Sequence, residues 1–240
     1  MTAGGDGEGL RILVAAPRKS GGAQLRCMLA YVYGLGVGDA RSKSLNDDAA
    51  EVPPGMVVAT HQAYSPAFAA SAIGSDVRLL AVVRHPYDLF TSNYLNAQHR
   101  DKRGGAASDE QTPFALLRGR PIDDLTVLGY LEDGFGEQIS WLLGWQASGA
   151  TLVSYERLIA DPAQTLRALT EHIAPADDAR VERAPLVCPA ESLVRSRPGA
   201  GRRMPALAPG GWRDHLTEAH LAILRARYGD ATRALGYEAS

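Results

Sequence analysis

Two stretches, Leu10–Ala16 (LRILVAA) and Val77–Val83 (VRLLAVV), are apolar almost without interruption. A strand with one wet face alternates polar and apolar positions. One that hardly alternates has to be covered on both faces, which is the environment of an inner strand in a parallel sheet. Each run gives way to a proline, Pro17 or Pro86, and a helical pattern follows. Leu25, Met28, Leu29 and Val32 lie at helical spacing within residues 22–33, and Pro86 suits the first position of a helix running to about Gln98. Further segments continue the alternation: a strand at Met56–Thr60, a short helix at Ala67–Ile73, a helix at Gly134–Gln146 and a strand at Thr151–Tyr155. A helix from Asp161 or Pro162 to His172 and a terminal helix at Thr217–Tyr228 complete the pattern. The chain is therefore expected to be α/β, a three-layer fold with a central parallel β-sheet flanked by helices. Its 240 residues suit a single domain over 10–240, behind a disordered glycine-rich tail at 1–9.

Three segments lack periodicity and are expected to be loops. Residues 36–55 are rich in Gly, Asp, Ser and Pro; residues 99–125 are polar and read as a mobile excursion; residues 174–211 are rich in proline and arginine. Within the last, the charged run Arg195–Arg203 suits an anion.

The formal net charge of -2 and the scarcity of aromatic residues speak against a nucleic-acid partner and against a polybasic membrane patch. No apolar run approaches the roughly 18 residues of a spanning helix, and the N-terminus has neither the basic nor the apolar part of a secretory signal. Of the two cysteines, Cys27 falls in a helical pattern and Cys188 in a proline-rich stretch, so no disulfide is expected and a reducing cytoplasm fits. A small-molecule partner is the expectation, and a homodimer is compatible with it.

Ala16-Pro17-Arg18-Lys19-Ser20-Gly21-Gly22-Ala23-Gln24 joins the first strand to its helix. Small residues leave backbone N–H groups free to point into such a turn, and the helix N-terminus adds partial positive charge, so a phosphate would be held there with Lys19 as the cation. It is not a Walker A loop, because the lysine precedes the glycines. A basic, glycine-containing turn after a strand is equally well plain structure. The second segment, Arg84 to Tyr94, follows the strongest strand; Arg84 stands at its carboxyl end and Ser92 eight residues on. An arginine fork and a hydroxyl suit one phosphate. The alternative is that Arg84 pairs with Asp88 and Ser92 faces solvent.

In this order the two segments resemble the nucleotide-binding signatures of the sulfotransferases that use 3'-phosphoadenosine 5'-phosphosulfate (PAPS). The first is similar to that family's P-loop-like phosphosulfate loop, Pro-Lys-Ser-Gly-Thr-Thr-Trp and its variants. The second is similar to its 3'-phosphate motif, Arg-x-Pro-x-Asp with a serine eight residues after the arginine. Val153-Ser154-Tyr155-Glu156-Arg157-Leu158 with Asp161-Pro162 resembles the family's Tyr-Glu-Asp-Leu and Asp-Pro segment, and Gly210-Gly211-Trp212-Arg213-Asp214-His215 resembles its C-terminal Gly-x-Trp element. Four such motifs in order are more specific than any one.

The resemblance implies a sulfotransferase that moves a sulfuryl group from PAPS to a hydroxyl of a small acceptor, releases adenosine 3',5'-bisphosphate (PAP) and needs no metal. It implies donor contacts from Arg18, Lys19, Ser20, Gly21, Gly22, Ala23 and Gln24 on the phosphosulfate, from Arg84 and Ser92 on the 3'-phosphate, and from Tyr155 near the adenine nucleotide. Thr60-His61 matches the family's strand-end base, so His61 is the implied general base and Lys19 the group at the leaving oxygen. Ala23 and Gln24 stand where the family commonly has threonine and tryptophan, and Ala59 where a lysine is common. The family's C-terminal Arg-Lys-Gly clamp is absent in register; Arg202 and Arg203 are its candidate substitutes, and Trp212 is the candidate to stack on adenine. Acceptor contacts are expected from 36–55, 62–70 and 99–125, and the composition resembles bacterial enzymes of natural product biosynthesis. A small-molecule kinase with an atypical phosphate loop and a catalytically silent nucleotide-binding module are the alternatives.

Overall fold

The computed structural model describes residues 9–40, 49–61, 63–101, 113–189 and 207–238. They fall into two compact units, one holding those up to Val83 and from Gly144 to Pro189, the other Arg84–Leu143 and those from Leu207 on.

The first unit is built on a five-stranded sheet of β1 (Arg11–Ala15), β2 (Gly36–Ala40), β3 (Met56–Thr60), β4 (Val77–Val83) and β5 (Thr151–Ser154). The order is β2-β3-β1-β4-β5 and every pairing is parallel. The two apolar runs of the sequence are neighbours at its centre, β1 and β4, with Ala15 level with Thr60 on one side and Ala81 on the other. Ile12 and Val14 belong to a core with Leu25, Met28, Leu29 and Val32 of α1 (Gly22–Tyr33). Their opposite-parity neighbours Leu13, Val58 and Leu79 are buried too, so the sheet is covered on both faces, as the lack of alternation requires. At about 1.5 to 3 kcal/mol for each fully buried large apolar side chain, these strands anchor the unit. The unit also contains α2 (Pro66–Ile73), with Ser65 accepting the Phe68 N–H as its cap.

Four expectations need correction here. The stretch 36–55 is not loop throughout: Gly36–Ala40 is the edge strand β2. Edge strands pair on one side only and tolerate glycine, which hides them from a pattern search. Between β5 and the helix expected after Pro162 lies a helix, α6 (Tyr155–Ala160), capped by Ser154; α7 (Pro162–Ile173) follows with Asp161 as its cap. The stretch 174–211 is not loop throughout either, because Asp177 caps α8 (Asp178–Val187), which packs Val181 and Ala184 into the core. Cys27 of α1 and Cys188, just beyond α8, are joined in a disulfide, their Cα atoms 5.9 Å apart. That separation suits the bond. The ground on which a reducing compartment was expected is removed with it.

The second unit contains α3 (Pro86–Asp101), a 3-10 turn at Pro113–Leu117, α4 (Leu125–Gly129) and a π-helical turn at Tyr130–Gly134. The first part of α5 (Gly136–Ala147) and α9 (Glu218–Ala234) complete its helices. Of the excursion expected over 99–125, residues 102–112 lie outside the described residues, the helix runs on to Asp101, and Leu117 is fully buried. A buried polar chain ties the helices: Asn93 Nδ2 donates to Gln138 Oε1 at 2.9 Å and Gln138 Nε2 to the Tyr130 hydroxyl at 2.9 Å. The Tyr228 hydroxyl donates to the carbonyls of Leu131 and Glu132, taking up acceptors in the π turn, where the helical ladder is interrupted. Among the described residues no helix is long and apolar enough to cross a membrane.

Candidate functional site

In the first unit the chain leaves β1 at the carboxyl edge of the sheet, the edge at which open parallel sheets receive ligands. Ala16 N–H donates to Thr60 O at 3.0 Å, extending the pairing of β1 with β3 by one step. A tight turn follows. The N–H and the hydroxyl of Ser20 both donate to Pro17 O, at 3.3 and 2.6 Å, and Ser20 is fully buried. Lys19 takes a left-handed conformation, φ 66°, which a residue with a Cβ occupies at a cost of about 1 to 2 kcal/mol. Gly21 follows at φ 82° and is the N-cap of α1 without any side-chain cap. The N–H groups of the first helical turn, Gly22 and Ala23 among them, therefore face outward with the positive end of the helix dipole.

Two close approaches make glycine necessary. A Cβ on Gly22 would stand 2.6 Å from the Ala16 Cβ, and one on Gly21 would stand 2.9 Å from Cδ2 of Tyr155. Tyr155 is 2% exposed and backs the loop with its ring. Arg18 is exposed, while Lys19, Ala23 and Gln24 are half-buried.

His61 follows β3 directly and its ring is at the surface. Its Nδ1 lies 2.7 Å from the carbonyl oxygen of Ala16. A carbonyl only accepts, so Nδ1 carries the hydrogen and, in the neutral ring, Nε2 carries the lone pair. The histidine is thus tied through Nδ1 to the first residue of the loop.

In the second unit Arg84 and Ser92 are both fully buried, and Arg84 Nη2 donates to Leu207 O at 2.8 Å. The pairing of Arg84 with Asp88 and the solvent-facing Ser92, weighed as the plain alternative, do not describe what is found. Asp88 Oδ2 accepts the N–H of Gly210 at 2.7 Å and its Oδ1 that of Trp212 at 3.0 Å. Ser92 Oγ has no hydrogen-bond partner among the described residues. A buried hydroxyl left so is costly unless a ligand meets it. Trp212 is 4% exposed, edge-on to Tyr87 at 5.1 Å between ring centres and near His85, with the Arg213 guanidinium 4.4 Å over its ring.

Of the residues singled out in the sequence, the loop 16–24, His61 and Tyr155 come together in the first unit; in the second, Arg84 bonds the turn that carries Trp212, and Ser92 is buried on α3. Arg202 and Arg203 lie outside the described residues. Sequence reasoning missed the role of Asp88; its signal was its place four residues after Arg84 and four before Ser92, the latter pair lying one turn apart on α3.

No protein-family model matches the sequence, and no curated protein matches it. Among solved structures, the mouse sulfotransferase SULT7A1, complexed with PAP, aligns at 16% identity over 96% of this chain and 90% of that one, with a TM-score of 0.62. A sulfotransferase domain from the curacin biosynthetic pathway aligns at 13% identity over 96% and 98%, with a TM-score of 0.49, too low to bear an argument. Likeness at such identity establishes fold rather than activity. The chain has the parallel α/β sulfotransferase fold of the mouse protein.

Proposed function

We propose that this protein is a sulfotransferase that transfers the sulfuryl group of PAPS to a hydroxyl of a small-molecule acceptor. The observation that carries the reading is the bond from His61 Nδ1 to Ala16 O, which ties the candidate base to the first residue of a phosphate-type loop. Kinase chemistry has no need of a histidine there. The fold supports the reading, and so does the PAP in the mouse sulfotransferase.

The residues present suit the donor. The uncapped first turn of α1 offers backbone donors to the 5'-phosphosulfate, and Arg84 with the unpartnered Ser92 Oγ suits the 3'-phosphate. In the reaction His61 Nε2 takes the acceptor's hydroxyl proton as the acceptor oxygen bonds to sulfur, and the bond from sulfur to the bridging phosphate oxygen breaks to leave PAP. Lys19 stabilises the charge growing on that oxygen. Arg18, Ser20, Gly21, Gly22, Ala23 and Gln24 shape or line the phosphosulfate loop, with Tyr155 acting through Gly21. Trp212, enclosed by its neighbours, is assigned to packing rather than to the adenine.

Titration with PAP and AMP, in the wild type and in Arg84→Ala, tests the donor assignment. The wild type is expected to prefer PAP, and the variant to lose that preference at a cost of about 2 to 5 kcal/mol, the range for stripping one partner from a buried charged contact. Equal affinity of the wild type for PAP and AMP would sink it. Tight PAP binding with no turnover on any hydroxylated acceptor would favour the silent module.

A further inference from the structure

Arg84, two residues ahead of α3, and Asp88 and Ser92 within it recur at intervals of four, and all three are buried. On the reading above, the first and third meet the donor's 3'-phosphate, and a carboxylate between them is out of place on charge grounds, since it repels an anion. Its partners explain it. Both oxygens are taken by backbone donors from a distant part of the chain, Gly210 and Trp212, which hold the turn ahead of α9 against the first turn of α3. The carbonyl of Leu207, in that same turn, receives Nη2 of Arg84. A guanidinium is a rigid fork of donors, so fixing one of its nitrogens sets the direction of the others.

We propose that Asp88 is a positioning residue for recognition of the donor's 3'-phosphate: it fixes the Leu207–Trp212 turn, whose Leu207 carbonyl in turn orients Arg84. The proposal rests on the PAPS reading and adds to it a coupling between nucleotide binding and this turn. Occupancy of Arg84 by a phosphate tightens the turn, and disorder of the turn weakens the phosphate contact, by the reciprocity of linked equilibria.

Asp88→Asn separates this role from simple electrostatics by sign. The change is nearly isosteric and removes a negative charge, so on charge alone it strengthens binding of PAP. On the positioning role it places an amide donor against a backbone donor, releases the turn and weakens PAP. Calorimetric titration of the wild type and Asp88→Asn with PAP and with AMP, which lacks the 3'-phosphate, is the test. The expected result is a loss of about ten- to a hundredfold in PAP affinity with AMP affinity almost unchanged. A merely structural defect lowers both alike, and that outcome overturns the proposal, as does a retained or increased preference for PAP. If the wild type itself shows no preference for PAP, the donor reading fails first. Should Asp88→Asn not fold, amide hydrogen exchange in the wild type decides: the Gly210 and Trp212 amides are expected to exchange more slowly with PAP bound and not with AMP. Exchange indifferent to PAP overturns the coupling.

Discussion

The Nδ1 atom of His61 stands 2.7 Å from the carbonyl oxygen of Ala16, and this contact joins the candidate base to the loop proposed to take the phosphosulfate. It fixes the ring and its tautomer together. His61→Ala is expected to lower kcat by about 10² to 10⁴, the usual worth of a general base, with PAP affinity nearly unchanged. His61→Asn sharpens the test, since an asparagine amide can stand where Nδ1 does and still donate to Ala16 O while offering no base. If turnover returns in the asparagine variant, the histidine is a tether and not a base.

Lys19 combines a strained backbone with the proposed catalytic cation. Its φ of 66° costs a residue with a Cβ about 1 kcal/mol that glycine would not incur. Lys19→Gly should therefore raise Tm by a few degrees, about 2 to 4 °C for 1 kcal/mol in a chain of this size, while turnover falls. Lys19→Met keeps the strain and loses the cation, so it should lower kcat more than it raises the donor KM. A Lys19→Gly protein less stable than the wild type would show that the lysine side chain contributes more to the fold than its backbone costs.

How far these features can be seen in the sequence depends on how much of their cause is local. β1 and β4 are legible because burial on both faces removes every polar position but an arginine, and the proline after each marks its end. The loop between β1 and α1 is legible for the same reason, its small residues and lysine being contiguous. By contrast, α8 buries only Val181 and Ala184 on α1's side of the core and carries Pro185 inside its last turn, so propensity argues against a helix that packing then forms. β2 reads as a turn because GVGDA has no apolar pattern, and pairing along β3 alone makes it a strand. The close approach of Tyr155 to Gly21 and the bonds from Asp88 to Gly210 and Trp212 join residues more than a hundred positions apart, and no spacing rule reaches that far.

Tyr87 offers a test of the second unit that is independent of any ligand. Its ring is fully buried, edge-on to His85 and Trp212, and its hydroxyl has no hydrogen-bond partner among the described residues. Burial raises its pKa, opposed by the charges of Arg225 and Arg233, so the phenol stays protonated at neutral pH. An unbonded buried hydroxyl costs desolvation and returns nothing, so Tyr87→Phe should be neutral or stabilising by up to about 1 kcal/mol in denaturant unfolding. A loss of stability would reveal a bond made by the hydroxyl in solution.

The bond between Cys27 and Cys188 spans a sequence separation of 161 residues and ties α1 to the end of α8. Closing so long a loop removes much of the freedom of the unfolded chain, and the usual contribution is about 2 to 5 kcal/mol. Reduction by a dithiol forms two thiols at the expense of the reductant's own oxidation to a disulfide, and it should lower Tm by about 2 to 4 °C for each kcal/mol lost. Cys27→Ser and Cys188→Ser should each reproduce that shift and should not add when combined, since either one already breaks the single bond. Thiol titration of the denatured, unreduced protein is expected to find no free cysteine. Two free thiols there, with a Tm indifferent to dithiol, would mean that the cysteines stand together unbonded and that α1 and α8 are held by packing alone.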